Sequence, residues 1–403
     1  MRTTHYAFLI LFFTSIAWRL NGQDLNTFSY WPVANPFLNL PPDARGGGMA
    51  QVGTATPADA ASSYWNAAKL AFIEGQAGVQ FTFLPVNRSI FPDQQIMAGS
   101  AFVRLAPVLT IGVAHRRFSG GEFTYMNISG LPIGTFNPIE AATELSAGGK
   151  ISERVAIGAT ARLIRWNYLL PLSGNEKDNS FGIDAGVLYR GPEQVHSFGK
   201  TRFSAGLSVC NLGPVAFENT NFYPAVSPAN LRAGISYKTD HKSDKHTIML
   251  AMDIQKLLVP SPPVYAIDST GSPLPLPGGS FVISDGKDPY RSWVQSIFGS
   301  FNDSPDGFKG ELREIAIGVG AEYWYNKRLA ARVGYFHYCP AGNNWQYVSF
   351  GAGFRYRFLE ANAAYILPVS NQTRPSNTCQ FSLNLLFDNI ELKTGKKKVS
   401  SGN

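Results

Sequence analysis

No stretch of this chain approaches the roughly twenty continuous apolar residues that a membrane-spanning helix requires. Charge is also scarce: Asp, Glu, Lys and Arg together make up 16% of 403 residues, against 44% hydrophobic residues and 39 glycines, which argues against a bundle of membrane helices. Cysteine is limited to Cys210, Cys339 and Cys379, with no CxxC pair and no zinc-like spacing. These three allow at most one disulfide, and their spacing leaves its pairing open. The six histidines include no HExxH, and His241 and His246 read as solvated turn and strand-edge residues rather than metal ligands. No GxSxG elbow is present, and Gly46-Gly47-Gly48 is not followed by the Gly-Lys-Ser/Thr of a phosphate loop. The sequence therefore nominates no catalytic residue, no metal ligand and no cofactor. The net charge of +7 gathers partly at Lys393, Lys396, Lys397 and Lys398, where a solvated tail accounts for it and nucleic acid is not an expected partner.

What the chain has in quantity is period-two alternation. Val155, Ile157, Ala159, Ala161 and Leu163 point one way, while Ala156, Gly158, Thr160 and Arg162 point the other. The next run repeats the pattern, with Ile183, Ala185, Val187 and Tyr189 opposite Asp184, Gly186 and Arg190. Similar dyads return at Leu231–Tyr237, Ile315–Tyr323, Val348–Tyr356 and Phe381–Phe387. Small and polar residues on one face with aliphatic and aromatic residues on the other suit a transmembrane barrel, whose inside is wet and whose outside meets lipid. The expected fold is all-β: a transmembrane antiparallel β-barrel of about 14 strands, an even number as such barrels require.

Loop lengths supply a second line of argument. Connections are very short around Ala106-Pro107, Ser152-Glu153, Asn326-Lys327 and Phe358-Leu359, and long after the third, fifth, seventh and ninth strands. Tight periplasmic turns and longer external loops produce this asymmetry, and they put both chain ends in the periplasm. Arg162, Asp184, Arg232, Glu322, Arg332 and Arg355 all fall on the small, polar face, as they must. A basic residue facing lipid at mid-bilayer costs about 2–4 kcal/mol. Tyr189, Tyr237, Tyr323, Tyr325 and Tyr356 lie near strand ends, where interfacial girdles form.

The flanking segments complete the expected layout. Arg2 and His5 followed by the apolar run Tyr6–Phe13 read as a signal peptide over residues 1–22, cleaved near Gly22. Residues 23–76 form an N-terminal hatch or plug, residues 77–387 the barrel, and residues 388–403 a basic periplasmic tail. The connection 257–311 is longer than an ordinary loop and external by topology. Its Leu257, Leu258, Val259 and Pro260, with Trp293 and Phe298, are the expected contact residues for a partner.

The residues Pro36-Phe37-Leu38, Pro42-Asp43-Ala44-Arg45-Gly46-Gly47-Gly48-Met49 and Tyr64-Trp65-Asn66-Ala67-Ala68-Lys69 resemble the N-terminal signature of the PorV family. Its members are outer-membrane barrels of the Bacteroidetes type IX secretion system. The resemblance continues at Pro228–Arg232 and Asp253–Pro263, and is strongest at Gly320–Asn326 and Ala331–Phe336. It implies a FadL-like fold of fourteen strands with an N-terminal hatch, held in place by Asp43, Arg45, Gly46, Gly48, Trp65 and Asn66. It also implies a non-enzymatic role. Such proteins receive secreted cargo through its conserved C-terminal domain from a giant translocon barrel, then deliver it to a cell-surface sortase of the attachment complex. The partners would be cargo C-terminal domains, translocon, attachment complex and outer-membrane lipid. The alternatives are a FadL-like transporter of hydrophobic small molecules, a lipid A deacylase, or a structural scaffold. The stretch Tyr338–Asn344 and the tail after Phe387 depart from the family pattern.

Overall fold

A computed structural model describes residues 35–86, 93–167, 178–214, 227–277, 280–340, 344–369 and 378–387. The expected signal peptide, the start of the hatch and the basic tail lie outside these residues.

Fourteen long strands among the described residues join in one antiparallel sheet. They are β1 Ala77–Pro85, β2 Gln95–Ala106, β3 Leu109–Ser119, β4 Ile139–Lys150, β5 Val155–Asn167, β6 Asp178–Arg190 and β7 Gly199–Leu212. The series continues with β8 Asn230–His241, β9 His246–Leu257, β10 Ile315–Tyr325, β11 Leu329–Tyr338, β12 Trp345–Tyr356, β13 Leu359–Pro368 and β14 Thr378–Phe387. Each strand pairs with its neighbours in sequence, and β14 returns to β1 with Ala77 opposite Phe387 and Phe83 opposite Phe381. The sheet is therefore a closed barrel without a free edge, the condition for strands to cross a bilayer.

The alternation lands as its chemistry requires. Ile157 is 52% exposed and Leu145 is 59% exposed on the outer face, whereas Thr160, Arg162, Asp184, Arg232, Glu322 and Arg332 are buried inside. Tyr189, Tyr237, Tyr323, Tyr325 and Tyr356 are exposed near the periplasmic ends of their strands. The strand that carries the Ile315–Tyr323 dyad begins at Ile315, directly after the helix Gly307–Arg313.

Residues 35–76 lie within the barrel as four short helical pieces: Pro36–Asn39, Ala44–Gly47, Ser62–Trp65 and Ala67–Phe72. They reach the wall by side-chain and backbone contacts on nearly every side. The Ala44 amide donates to Ser382 Oγ at 2.8 Å, the Ala50 amide to Ser349 Oγ at 2.9 Å, and Ser236 Oγ to the Ala55 carbonyl at 2.7 Å. Glycines on the inner face make this close seating possible. A Cβ at Gly334 would lie 2.5 Å from the Met49 carbonyl carbon, and one at Gly158 would overlap the Ala67–Ala68 peptide. Here glycine is needed for space, not for an unusual backbone angle.

Candidate functional site

The inner segment is held by buried charges whose partners come mostly from the barrel wall. Asp43 caps the helix that follows it, accepting from the Gly46 amide at 2.6 Å, and also accepts from Trp65 Nε1 at 2.7 Å. Arg45 does not pair with Asp43. Its guanidinium donates to both oxygens of Glu322, at 2.9 and 3.0 Å, and reaches Asp59 at 3.2 Å. Arg332 Nε approaches the same Glu322 at 2.6 Å. Asp253 on β9 accepts from the Gly53 amide, the Thr54 amide and Thr54 Oγ1 at 2.8, 2.8 and 2.7 Å. Asn66 Oδ1 accepts from the Ala68 amide at 3.0 Å while its Nδ2 donates to the Val187 carbonyl at 3.0 Å. The Tyr64 ring lies between the guanidinium groups of Arg116 and Arg232, at 4.7 and 4.6 Å. Buried charges and polar groups demand such partners. Asp43, Arg45, Gly46, Gly48, Trp65 and Asn66 all sit in this seam. Gly46 and Gly48 pack against Trp65 and the Gly351 backbone respectively.

On either side of the inner segment lies a cavity, and no residue lines both. The periplasmic one, of about 730 Å³, is ringed by charges including Arg190, Lys200, Lys238, Asp240 and Arg357. The external one, of about 380 Å³, is walled chiefly by Phe37, Phe118, Phe336, Tyr338, Trp345 and Tyr347.

At the barrel end with the longer loops, which the loop-length argument makes external, the connection between β9 and β10 folds into a unit termed the cap. Its base is an ion-pair cluster. Lys256 Nζ reaches Glu311 at 2.9 Å and Glu314 at 2.8 Å, and Arg291 reaches Asp303 at 2.6 Å. Ser261 Oγ lies 2.8 Å from Asp303 and also within hydrogen-bond reach of Glu314, its single proton serving one of them at a time. The carboxylates of Asp303, Glu311 and Glu314 converge within 4.8 Å of one another. The Lys256 ammonium and the Arg291 guanidinium offset two of its three charges and occupy carboxylate oxygens of all three residues, so it reads as a clasp rather than a metal site. Burial pushes the Asp303 and Glu314 carboxyls above their ordinary values, with hydrogen bonds and the neighbouring cations opposing it.

The nominated contact residues divide sharply. Leu257 ends β9 and lines the external cavity, half-buried. Leu258, Val259 and Pro260 are buried beneath the cap, because the Leu258 amide pairs with the Ala229 carbonyl at 2.8 Å and continues the strand path. They are packing residues in this structure and offer no exposed surface. Trp293 and Phe298 sit on the helix Trp293–Gly299, whose Ser292 and Gln295 form a capping box. Phe298 is 76% exposed. The second cap helix adds Phe308, 78% exposed, and Leu312, neither of which stood out in the sequence. Their spacing of four was the available signal. A further hairpin, Phe123–Met126 with Pro132–Phe136, also exposes Met126, Ile128 and Leu131 on the external side. His241 and His246 lie with ring centroids 5.9 Å apart, but their Nδ1 atoms are engaged by Ser243 and Tyr323. Cys210, Cys339 and Cys379 form no disulfide with one another.

Comparison with known proteins gives one family model and several solved structures at low identity. A family model described as type IX secretion system protein PorV matches residues 26–264, more than half of the chain. The likeness at Gly320–Asn326 falls beyond the matched stretch. No individual curated protein matches by sequence. Among solved structures, the Ralstonia pickettii toluene transporter TbuX is similar at 15% identity and a TM-score of 0.43, over 86% of this chain and 97% of that one. A Pseudomonas aeruginosa FadL homologue is similar at 14% identity and 0.42, over 86% and 98%. The P. putida toluene transporter TodX is similar at 12% identity and 0.48, over 86% and 99%.

Proposed function

Since this chain belongs to the PorV family, and so is an outer-membrane component of the type IX secretion system, we propose that it receives exported polypeptides at the cell surface and passes them on. In this reading the cargo carries a conserved C-terminal domain, arrives from the translocon barrel, and is delivered to the sortase of the attachment complex. The protein acts by binding and without catalysis.

One observation carries the reading: the cap presents Trp293, Phe298, Phe308 and Leu312 outward on two helices, the second tied to β9 through Lys256 and the first flanked by the Arg291–Asp303 pair. Apolar side chains of this density on a secured external element are what a transient protein partner uses. The filled lumen supports the same reading, since an inner segment bonded to the wall leaves the outer surface as the place of recognition.

The test is capture of secreted cargo by tagged protein purified gently from outer membranes. Changing Trp293 and Phe298 together to Ser leaves the barrel inserted and reduces the cargo recovered. Undiminished recovery would remove the cap from the hypothesis. A preparation with no secreted protein and no translocon barrel would remove the hypothesis itself.

A further inference from the structure

We propose that the lipid-facing surface of β3–β5 holds a phosphorylated glycolipid of the external leaflet, gripped at a phosphate monoester by Arg117 and Arg165. This does not rest on the cargo reading and involves no bond breaking. Both arginines are exposed and, by strand alternation, point away from the lumen as Val113 and Ile157 do. The register puts them at one height, since Ala141 on β4 lies opposite Arg117 on β3 and opposite Arg165 on β5. Their backbones are therefore about 10 Å apart, with only a methyl group between the two side chains. The adjacent inward-facing Arg116 is paired with Glu144, whereas Arg117 and Arg165 have no carboxylate in ion-pair range among the described residues. Arg117 stands roughly 20 Å above Leu109 at the periplasmic end of the tilted β3. That is near the top of an apolar band about 25 Å tall, where headgroup phosphates lie and an outward arginine is tolerated.

The rows beneath continue the match. One row deeper, His115 lies opposite Thr143, with its Nδ1 3.0 Å from the Thr143 hydroxyl. This exposed polar pair sits about 6.7 Å nearer mid-bilayer, at the level of a glycolipid's ester and amide carbonyls. Below it Val113, Leu145 and Ala161 form a plain aliphatic row for acyl chains. Phosphate, carbonyls and hydrocarbon thus meet their complements in depth order. Charge then selects the headgroup. A phosphate monoester carries close to two negative charges and answers both guanidinium groups, each able to donate two parallel hydrogen bonds. The diester of an ordinary phospholipid carries one charge and leaves one arginine unanswered. Met97 and Leu163, exposed beside the patch, are lipid-facing, so one lipid covers the charges and their apolar surround together.

The experiment uses full-length protein in phosphatidylcholine nanodiscs doped with monophosphoryl lipid A or with phosphatidylglycerol, and reads retained lipid by native mass spectrometry. Wild type should retain one monophosphoryl lipid A per barrel, favoured over phosphatidylglycerol by about tenfold. Arg117→Gln combined with Arg165→Gln should abolish that preference in protein that still shows heat-modifiable migration. Removing outward cations places no burden on insertion, so this variant remains testable. Arg313→Gln removes an exposed external cation elsewhere and should leave the preference unchanged. Equal retention of the two lipids by wild type, or an undiminished preference in the double variant, would overturn the site. So would an equal loss in Arg313→Gln, which would assign the effect to overall charge. If the double variant keeps its lipid preference but loses a co-purifying protein, the patch belongs to an acidic protein partner and the lipid site is refuted.

Discussion

Arg45 and Glu322 meet through two parallel contacts of 2.9 and 3.0 Å, tying the second helical piece of the inner segment to β10. Arg332 shares the carboxylate, so one anion answers two cations in a setting sheltered from water. Breaking one partner of such a pair strands the other, whereas removing the charges together is far milder.

Glu322→Gln should destabilise the folded barrel by about 3–5 kcal/mol, read as a lower temperature for loss of heat-modifiable migration. Glu322→Leu combined with Arg45→Met and Arg332→Met should recover part of that loss. A triple variant no better than the single one would mean that the shared ion pairs contribute little to holding the inner segment.

Gly158→Val should expel or distort the Ala67–Ala68 stretch, because no room exists for a side chain there. Single-channel conductance across planar bilayers should rise as the lumen opens, or the folded fraction should fall. Gly182→Ala is the control, since its Cβ would meet only ordinary contacts at 3.7 Å and beyond. Equal behaviour of the two variants would refute the close seating.

Ile157→Arg places a cation against lipid and should lower the inserted fraction by an amount corresponding to about 2–4 kcal/mol if the site lies near mid-bilayer. Ile157→Leu should be neutral. The more obvious comparison, Arg at Ile317 against Arg at Gly318, is confounded. Gly318 faces the lumen, but a Cβ there would lie 2.5 Å from the Ala50 carbonyl oxygen.

Acid should tighten the cap. Asp303 and Glu314 have carboxyls raised in the folded state, so folding takes up protons between their ordinary and raised values. Their burial is therefore most unfavourable above the raised values and is relieved as pH falls through them. Amide exchange in residues 293–313, corrected for the intrinsic pH dependence of exchange, should slow as the pH is lowered from neutral into that window. Glu314→Gln should flatten the dependence. Faster corrected exchange on acidification of the wild type would contradict the assigned direction.

The barrel itself was legible because its chemistry repeats. Every strand carries its inside and outside faces in alternate residues, so the pattern alone assigns Arg162, Asp184 and Glu322 to the lumen. The inner segment was expected as a plug, but its fastening to the wall was not legible. Asp43 and Arg45 stand two apart and invite pairing, yet Asp43 turns to Trp65 and Arg45 to Glu322. Partners brought in from distant strands leave no local signal. The cap misled in the opposite way. Leu258, Val259 and Pro260 looked sticky because they are apolar in a loop, but the chain continues along the sheet there and covers them. Composition marks which residues prefer to leave water and is silent about which of them succeed.

The seating of the inner segment also bears on how the molecule is made. Its residues precede β1, and the seam that closes the barrel pairs β1 with β14, the strands at opposite ends of the barrel sequence. With the glycine-lined wall pressed against the Met49–Ala50 and Ala67–Ala68 peptides, a finished cylinder leaves little clearance for threading a plug through its end. The economical order of assembly is enclosure: the wall curls around the segment, and the final seam seals with its contents already in position. On that order the plug serves as a mandrel on which the cylinder is formed.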